Sequence, residues 1–332
     1  MEADSLRDFD IVVYGATGFT GALVAEYLQT HHSEIRWAIA GRSPSKLESV
    51  KKQLGNAELP TIEADSGSAV DMARLAGTAK VIISTVGPYA QHGTKLLEAC
   101  AAEGTHYCDL TGEPQWMAAV FEKVSDMAEE SGARLVHCCG FDSIPSDLGV
   151  FVAQKIMRER HGVYATHVSG RMGPSKGAVS GGTVASMLLA MEQGVSDPIA
   201  RKALNSPYAL YPAELDPGVD GADQKGVKWD DNFDSWTGPF VMAAVNSKVV
   251  RRSNALASLI YGADFAYDEA MLTTNRRSAL LLAGGMGAGM LAFAIGPLRR
   301  MIAKKLPQPG EGPSPSEREN GFFEFFVHAK HP

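Results

Sequence analysis

Three evenly spaced glycines follow a short apolar run in residues 13–21, VYGATGFTG. Residues 9–14 combine apolar and β-branched side chains, which predicts a buried strand, and residues 22–30 carry an apolar face that predicts a helix. A glycine-rich turn between a strand and a helix is typical of a dinucleotide-binding loop. An ordinary tight turn without a ligand is the alternative interpretation.

The glycines have separate predicted roles in such a loop. Gly15 lets the chain turn sharply after the strand, Gly18 leaves room for a diphosphate, and Gly21 allows the helix to pack closely on the sheet. The helix N-terminus adds N–H groups and a partial positive charge. The residues of this loop predicted to bind the cofactor are Gly15, Thr17, Gly18, Phe19, Thr20 and Gly21.

The side chains after the next predicted strand indicate which dinucleotide is bound. An NAD-specific fold carries an acidic residue about 20 residues after the glycines, where it binds the ribose 2′-hydroxyl. At that place the sequence has Arg42 and, four residues later, Lys46. Because a guanidinium pairs well with phosphate oxygens, this pattern predicts NADP(H) rather than NAD(H). A solvated surface arginine is the alternative for Arg42.

Strands and helices alternate regularly through the first half of the chain. The pattern predicts further strands at residues 36–40, 60–64, 81–86, 106–110 and 134–138. Such alternation predicts an α/β fold with a parallel, doubly wound sheet of the Rossmann type. Ligands of this fold bind at the carboxyl ends of the strands, which adds these predicted cofactor-binding residues: Asp65, Val86, Gly87, Pro88, Tyr89, Gly112 and Glu113. For Asp65, a place near the adenine and a role at a helix N-terminus both remain open.

The pattern changes after Pro145. The second half predicts helices at 146–160, 183–193 and 253–272 and strands at 166–172, 240–252 and 322–327. Residues 205–239 are rich in Pro, Asp and Gly and predict no regular structure. Because 332 residues exceed one typical core, we predict two domains. They are an NADP(H)-binding Rossmann domain over residues 1–145 and a mixed-sheet α/β domain over residues 146–332 for substrate binding and dimerisation.

The composition argues against several classes of protein. A formal net charge of −7 excludes a nucleic-acid partner, because phosphate backbones need a basic face. Four cysteines without C-x-x-C spacing are too few for a disulfide framework and predict no zinc site. The nine histidines show no ligand spacing, so no metal is predicted. The acidic N-terminus lacks an apolar segment, so a secretory signal is not expected.

Short motifs over nearly the whole chain carry a family resemblance. They are GATGFTG at 15–21, AGRS at 40–43, STVGPY at 84–89, YCDLTGE at 107–113, GFDSIPSDLG at 140–149, SGGT at 180–183, VVRRS at 249–253 and GEGPS at 310–314. Together they resemble the saccharopine dehydrogenase-like oxidoreductases, in the branch that includes trans-acting enoyl reductases. The resemblance implies a Rossmann domain, an inserted α/β domain with much of the substrate pocket, NADP(H) use and association with lipid. Members of this family continue beyond the motif GFFEF at 321–325, so a shortened form is expected.

Candidate catalytic side chains lie near predicted strand ends and at the predicted domain junction. Tyr89, Asp142 and Ser143 are the predicted catalytic residues, because hydride transfer needs polar groups positioned near the nicotinamide. The alternative near the junction is structural, with Ser146 or Asp147 capping the next helix. The sequence contains no Tyr-x-x-x-Lys pair, the usual acid/base pair of short-chain dehydrogenases.

Two further motifs have both a ligand-binding and a structural interpretation. Gly181, Gly182 and Thr183 precede a predicted helix and either present N–H groups to an anion or form a hinge. Arg251 and Arg252 either bind a carboxylate or phosphate of the substrate or form a solvated face.

Residues 278–298 contain no charged side chain, and cations flank them on both sides. The segment is long enough to span a hydrocarbon core, which needs about 20 residues. Because the sequence on both sides belongs to one predicted domain, we expect an anchor on a membrane or lipid-droplet surface, formed as a hairpin or an interfacial helix. A helix buried in the domain or in a dimer, and a true span, are the alternatives.

The sequence therefore predicts an NADPH-dependent oxidoreductase that acts on a lipid-like substrate in lipid or glycolipid metabolism. The alternative is a non-catalytic NADP(H)-binding sensor or scaffold associated with lipid. The expected location is cytoplasmic and peripheral to a membrane or lipid droplet, with the mitochondrion as an alternative, and a homodimer is compatible with either function.

Overall fold

The computed structural model describes residues 7–332. The chain forms two compact units. Unit 1 consists of the chain up to Gly140 together with Val179–Leu189 and Leu306–Gly312, and the remaining segments, which begin at Phe141, form unit 2. Each unit is therefore assembled from segments that are far apart in the sequence.

Unit 1 contains a six-stranded parallel sheet. Its strands are β1 (Phe9–Tyr14), β2 (Trp37–Gly41), β3 (Thr61–Glu63), β4 (Ala79–Ser84), β5 (His106–Asp109) and β6 (Leu135–Val136). The helices between them are α1 (Phe19–His31), α2 (Pro44–Leu54), α3 (Ala69–Thr78), α4 (Tyr89–His92), α5 (Thr94–Glu103) and α6 (Pro114–Ser131). The strand order β3-β2-β1-β4-β5-β6 is that of a Rossmann fold. The predicted α/β class and Rossmann sheet are confirmed.

The central strands of this sheet are apolar on both faces. Val12, Val13 and Ile39 are fully buried, as expected for parallel strands that helices cover on both sides. Helices α1 and α2 contribute Leu28 and Leu47 to the same core. This packing holds the carboxyl ends of β1 and β2 side by side, where the glycine-rich loop begins.

Unit 2 contains a five-stranded mixed sheet in the order β11-β7-β10-β9-β8. Its strands are β7 (His167–Lys176), β8 (Lys228–Asp230), β9 (Ser235–Gly238), β10 (Ala266–Thr273) and β11 (Phe322–Lys330). The helices of the second half of the chain are α7 (Ile144–His161), α8 (Gly181–Ser196), α9 (Pro198–Asn205), α10 (Ala243–Leu256), α11 (Arg276–Ala294), α12 (Gly296–Ala303) and α13 (Pro315–Glu319). β7 pairs in parallel with β10 and antiparallel with β11. The strands β8 and β9 fall in residues 205–239, where the sequence predicts no regular structure.

Two predicted elements of unit 2 are wrong. Residues 240–252, predicted as a strand, form most of α10, and residues 253–272, predicted as a helix, contain most of β10. Polar residues buried in both elements hide the periodicity on which such predictions depend. On α10, Asn246 and Arg251 are buried and hydrogen-bonded, and on β10 Glu269 is only 1% exposed.

Helix α7 begins at Ile144, earlier than predicted. Ser143 is its N-cap residue, although its side chain makes no capping hydrogen bond. The N–H groups of Ser146 and Asp147 both donate to the carbonyl oxygen of Ser143. The predicted cap by Ser146 or Asp147 is therefore wrong, because both residues lie inside the first turn.

The uncharged segment 278–298 lies in α11 and α12, two helices that meet at an angle of 107°. Across the described residues, no single helix has the length and hydropathy to cross a membrane, and this bent pair passes that test only when its two helices are taken together. Leu282 packs against Gly238 of β9. Leu281 and Leu291 remain 77% and 71% exposed.

Candidate cofactor-binding site

The loop from β1 to α1 is a closed turn built on Gly15. The φ angle of Gly15 is 93°, in the left-handed region that favours glycine. Its N–H donates to the carbonyl oxygen of Ala40 at 2.9 Å, and its own carbonyl oxygen accepts from the N–H of Gly18 at 2.9 Å. The sharp turn predicted for Gly15 is confirmed.

The other two glycines of the loop have different surroundings. A methyl group on Gly21 would overlap the carbonyl group of Gly15 and would lie 2.7 Å from Thr85 Oγ1. A methyl group on Gly18 would meet only the carbonyl oxygen of Gly15, at 3.3 Å. The start of α1 therefore packs tightly on the loop through Gly21, while the side at Gly18 is open. This open backbone beside a helix N-terminus fits a diphosphate.

Thr85, which follows β4, supports the loop and was not predicted from the sequence. Its Oγ1 lies 3.2 Å from the carbonyl oxygens of Tyr14 and of Gly15, and its N–H donates to Tyr14 at 2.9 Å. The next residues of this segment are the predicted cofactor-binding residues, because backbone there often lines a ligand. A hydroxyl that hydrogen-bonds one loop to another leaves no comparable pattern in the sequence.

The two cations predicted to bind the 2′-phosphate lie just after β2. Arg42 follows Gly41, which borders Thr17 of the glycine-rich loop, and Lys46 lies in the first turn of α2. Both cationic side chains are exposed, and none of the carboxylates in residues 7–332 forms a salt bridge with either. Two unpaired cations beside the diphosphate position fit the additional phosphate of NADP(H).

Asp65 forms a turn at the end of β3. Its Oδ1 accepts from the N–H of Gly67 at 2.8 Å, and its own N–H donates to Asp71. The cap of α3 is Ser68, whose hydroxyl accepts from the N–H of Asp71 at 3.2 Å. Asp65 is exposed, and its predicted contact with the adenine stays a prediction.

The segment after β4 contains Val86, Gly87 and Pro88, all partly exposed, and then the buried Tyr89. The hydroxyl of Tyr89 donates to the carbonyl oxygen of Ser84 at 2.9 Å. Burial raises the pKa of this hydroxyl well above its ordinary value. The structure therefore places Tyr89 as a support of the segment, and its catalytic role stays a prediction.

Glu113 lies directly beneath this segment, next to the partly buried Gly112. It is completely buried, and its carboxylate accepts from the N–H groups of Tyr89 and Ala90 at 2.8 and 2.9 Å. The hydroxyl of Ser186 on α8 also donates to it, at 2.7 Å. Burial raises the pKa of Glu113, and these three donors oppose the rise.

A second buried carboxylate, Asp109, organises the end of β5. It accepts from the hydroxyl of Tyr107 at 2.9 Å and lies 2.7 Å from Nδ1 of His137. The N–H groups of Thr111 and Cys138 also donate to it. Asp109 and His137 were not predicted from the sequence, because a buried acidic residue at a strand end cannot be told from an exposed turn residue by its sequence neighbours.

The other two predicted catalytic residues lie in unit 2. The hydroxyl of Ser143 is buried and donates to Asn246 Oδ1 at 2.8 Å, and the amide of Asn246 donates to Ser146 and Glu269. Ser143 is therefore part of a buried hydrogen-bond network. Asp142 is exposed, and desolvation by the surrounding protein raises its pKa.

The two remaining motifs have structural partners. The N–H of Gly181 donates to the carbonyl oxygen of Glu311, and the N–H of Thr183 donates to the hydroxyl of Ser180. Arg251 is buried and pairs with Asp220 at 2.7 Å, so the predicted solvated face is wrong for Arg251. Arg252 donates to the carbonyl oxygen of Leu210 at 2.8 Å.

Comparison with known proteins agrees with this geometry. The saccharopine dehydrogenase NADP-binding domain matches residues 11–136. A putative trans-acting enoyl reductase of Mycobacterium tuberculosis is 40% identical over 332 residues, which is 96% of this chain and 79% of that protein. The trans-acting enoyl reductase of Mycobacterium ulcerans is 37% identical over 334 residues, which is 96% of this chain and 80% of that protein.

Among solved structures, apo saccharopine dehydrogenase (L-Glu forming) of Saccharomyces cerevisiae is similar with a TM-score of 0.46. The sequence identity is 13%, and the match covers 80% of this chain and 55% of that one.

A Rossmann sheet with an open glycine loop and two exposed cations defines an NADP(H)-binding protein, and the matching NADP-binding domain and the relatives named as enoyl reductases identify an NADP(H)-dependent oxidoreductase. The chain belongs to the saccharopine dehydrogenase-like family, as the sequence motifs predicted.

Proposed function

We propose that the protein is an NADPH-dependent reductase of a lipid-like enoyl substrate. The observation that carries this proposal is the 40% identity, over nearly the whole chain, to a protein named as a putative trans-acting enoyl reductase. The glycine-rich loop and Arg42 support the use of NADPH as the reductant. The uncharged segment 278–298 supports a lipid-like substrate.

An enoyl group is a carbon–carbon double bond conjugated to a carbonyl group. NADPH supplies a hydride when it is bound, and one proton completes the saturated product. Among the predicted catalytic residues, Tyr89 and Ser143 have buried hydroxyls that donate to other protein atoms. Asp142 is exposed, and its raised pKa means that it keeps a proton to higher pH than an ordinary aspartate. The catalytic role of Asp142 stays a prediction.

Isotope transfer tests the reaction. The protein is incubated, in separate reactions, with NADPH deuterated at the pro-R and at the pro-S position of C4 and with a panel of enoyl thioesters of increasing chain length, and the products are analysed by mass spectrometry. We expect one deuterium in each saturated product, transferred from only one face. The matched control is Gly18→Ala, which places a methyl group in the open diphosphate position. NADPH binding without label transfer across the panel would contradict the enzymatic proposal.

We also propose that α11 and α12 attach the protein to an anionic lipid surface. Leu281 and Leu291 are exposed apolar side chains within the uncharged segment. Cationic side chains stand on both sides, and no acidic residue occurs between Glu269 and Glu311. Apolar side chains flanked by cations favour a surface with negative headgroups.

Vesicle flotation tests the attachment. In the double variant Leu281→Glu and Leu291→Glu, we expect binding to phosphatidylserine-containing vesicles to fall at least about tenfold, because each leucine that enters the lipid surface contributes about 1.5–3 kcal/mol. The matched control is Val70→Glu with Ile199→Glu, since these two side chains are each 78% exposed on other helices. Equal loss of binding in both double variants would refute the assignment to α11 and α12.

A further inference from the structure

Glu113 is a buried carboxylate that forms no salt bridge with any cation in residues 7–332. An ionised side chain in that position is costly unless several donors satisfy its oxygens. Its three donors are the N–H groups of Tyr89 and Ala90, which begin α4, and the hydroxyl of Ser186. The arrangement favours a carboxylate over an amide side chain, because the two oxygens of a carboxylate can accept from all three donors at once.

The position of the donor segment in the Rossmann fold indicates what this carboxylate does. In a Rossmann fold, the dinucleotide lies across the point where the strand order reverses, here between β1 and β4. Arg42, the predicted ligand of the 2′-phosphate on the adenosine side, follows β2, so the nicotinamide half belongs on the side of β4 to β6. Gly87 and Pro88 lie on that side, immediately before the two N–H groups that Glu113 holds.

We propose that Glu113 is a positioning residue that holds the segment Gly87–Tyr89 in the shape that receives the nicotinamide half of NADP(H), with Ser186 fixing the carboxylate. A glutamine cannot replace it, because its amide has one acceptor oxygen and its NH₂ group would face a backbone N–H. The adenosine half depends on other residues, namely the glycine-rich loop and Arg42. Loss of Glu113 therefore weakens one half of the cofactor site and not the other.

Two ligands separate the halves experimentally. Dissociation constants are measured by calorimetry for NADPH and for adenosine 2′,5′-bisphosphate, which lacks the nicotinamide half. For Glu113→Gln we expect NADPH binding to weaken about tenfold to a hundredfold, since hydrogen bonds to charged groups contribute about 1.5–3 kcal/mol. Affinity for the bisphosphate should stay at the wild-type value. The fluorescence of saturating NADPH, which reports the surroundings of the nicotinamide, should shift toward that of free NADPH.

Ser186→Ala serves as a second variant, because it removes one of the three donors and keeps the carboxylate. We expect the same selective loss, but smaller, and this variant carries the test if Glu113→Gln does not fold. Arg42→Ala is the matched control and should weaken both ligands. Equal losses for both ligands in Glu113→Gln, or unchanged NADPH binding in both variants, would overturn the proposal. If the wild-type protein binds neither ligand, the cofactor assignment itself fails.

Discussion

Substitution of Gly21 by alanine tests the packing at the start of α1. The added methyl group would overlap the carbonyl group of Gly15, which is backbone and is held by Thr85. Overpacking of this kind costs about 1–3 kcal/mol, and we expect the upper end because no flexible side chain can move away. Alanine regains up to about 1 kcal/mol of helix propensity. The net loss is about 2 kcal/mol, or roughly 4–8 °C in the unfolding midpoint of a unit of this size.

The matched variant is Gly18→Ala, whose methyl group would meet only one atom, at 3.3 Å. Its loss of stability should stay below about 1 kcal/mol, the usual effect at an N-cap. Thermal unfolding is measured for both variants with and without NADPH. At 100 times the dissociation constant NADPH stabilises the wild type by about 2.7 kcal/mol, and Gly18→Ala should lose this gain. The packing argument is refuted if apo Gly21→Ala is as stable as the wild type.

Three further outcomes follow from charged residues. Arg42→Ala should weaken NADPH binding about tenfold to a hundredfold and leave NADH binding unchanged, and equal losses for both coenzymes in titrations would contradict its phosphate role. The hydrogen bond from Arg36 lowers the pKa of Asp10 from 3.8 to about 2, so its stabilising contribution is complete above about pH 4 and disappears as the pH falls toward 2. In Asp10→Asn, the free energy of unfolding should therefore change less between these pH values than in the wild type. The same change in both proteins would speak against the ion pair. Arg251→Ala leaves Asp220 buried without its partner, so urea denaturation should show a loss of about 3–5 kcal/mol, and a loss below about 1 kcal/mol would indicate a solvated pair.

The sequence was sufficient to predict the Rossmann sheet and the glycine loop. These features depend on local rules, because a short apolar strand, a glycine turn and a helix follow one another without long-range partners. Gly15 and Gly21 have the sharp turn and the close contact that were expected of them. The positions of Arg42 after β2 and of Lys46 in the first turn of α2 were predictable because the order of strand and helix alone places them.

Other parts depend on contacts between distant residues. Thr85 and Asp109 organise the loops by hydrogen bonds to backbone groups from other strands. The network of Asn246 and Glu269 buries polar side chains inside α10 and β10, so the first was mistaken for a strand and the second for a helix. A pattern of apolar residues cannot reveal polar groups that are paired only after folding.

The contact between Phe19 and Gly312 has a consequence for the order in which the chain folds. A methyl group on Gly312 would lie 2.6 Å from the ring of Phe19, so the first residue of α1 is covered by a segment nearly 300 residues later. During synthesis the parallel sheet can assemble once residue 140 has left the ribosome, because domains fold as units from the N-terminus. The cover over Phe19 arrives only after residue 312 has been synthesised. A nascent chain halted before that point would present a finished sheet with its coenzyme loop incompletely enclosed.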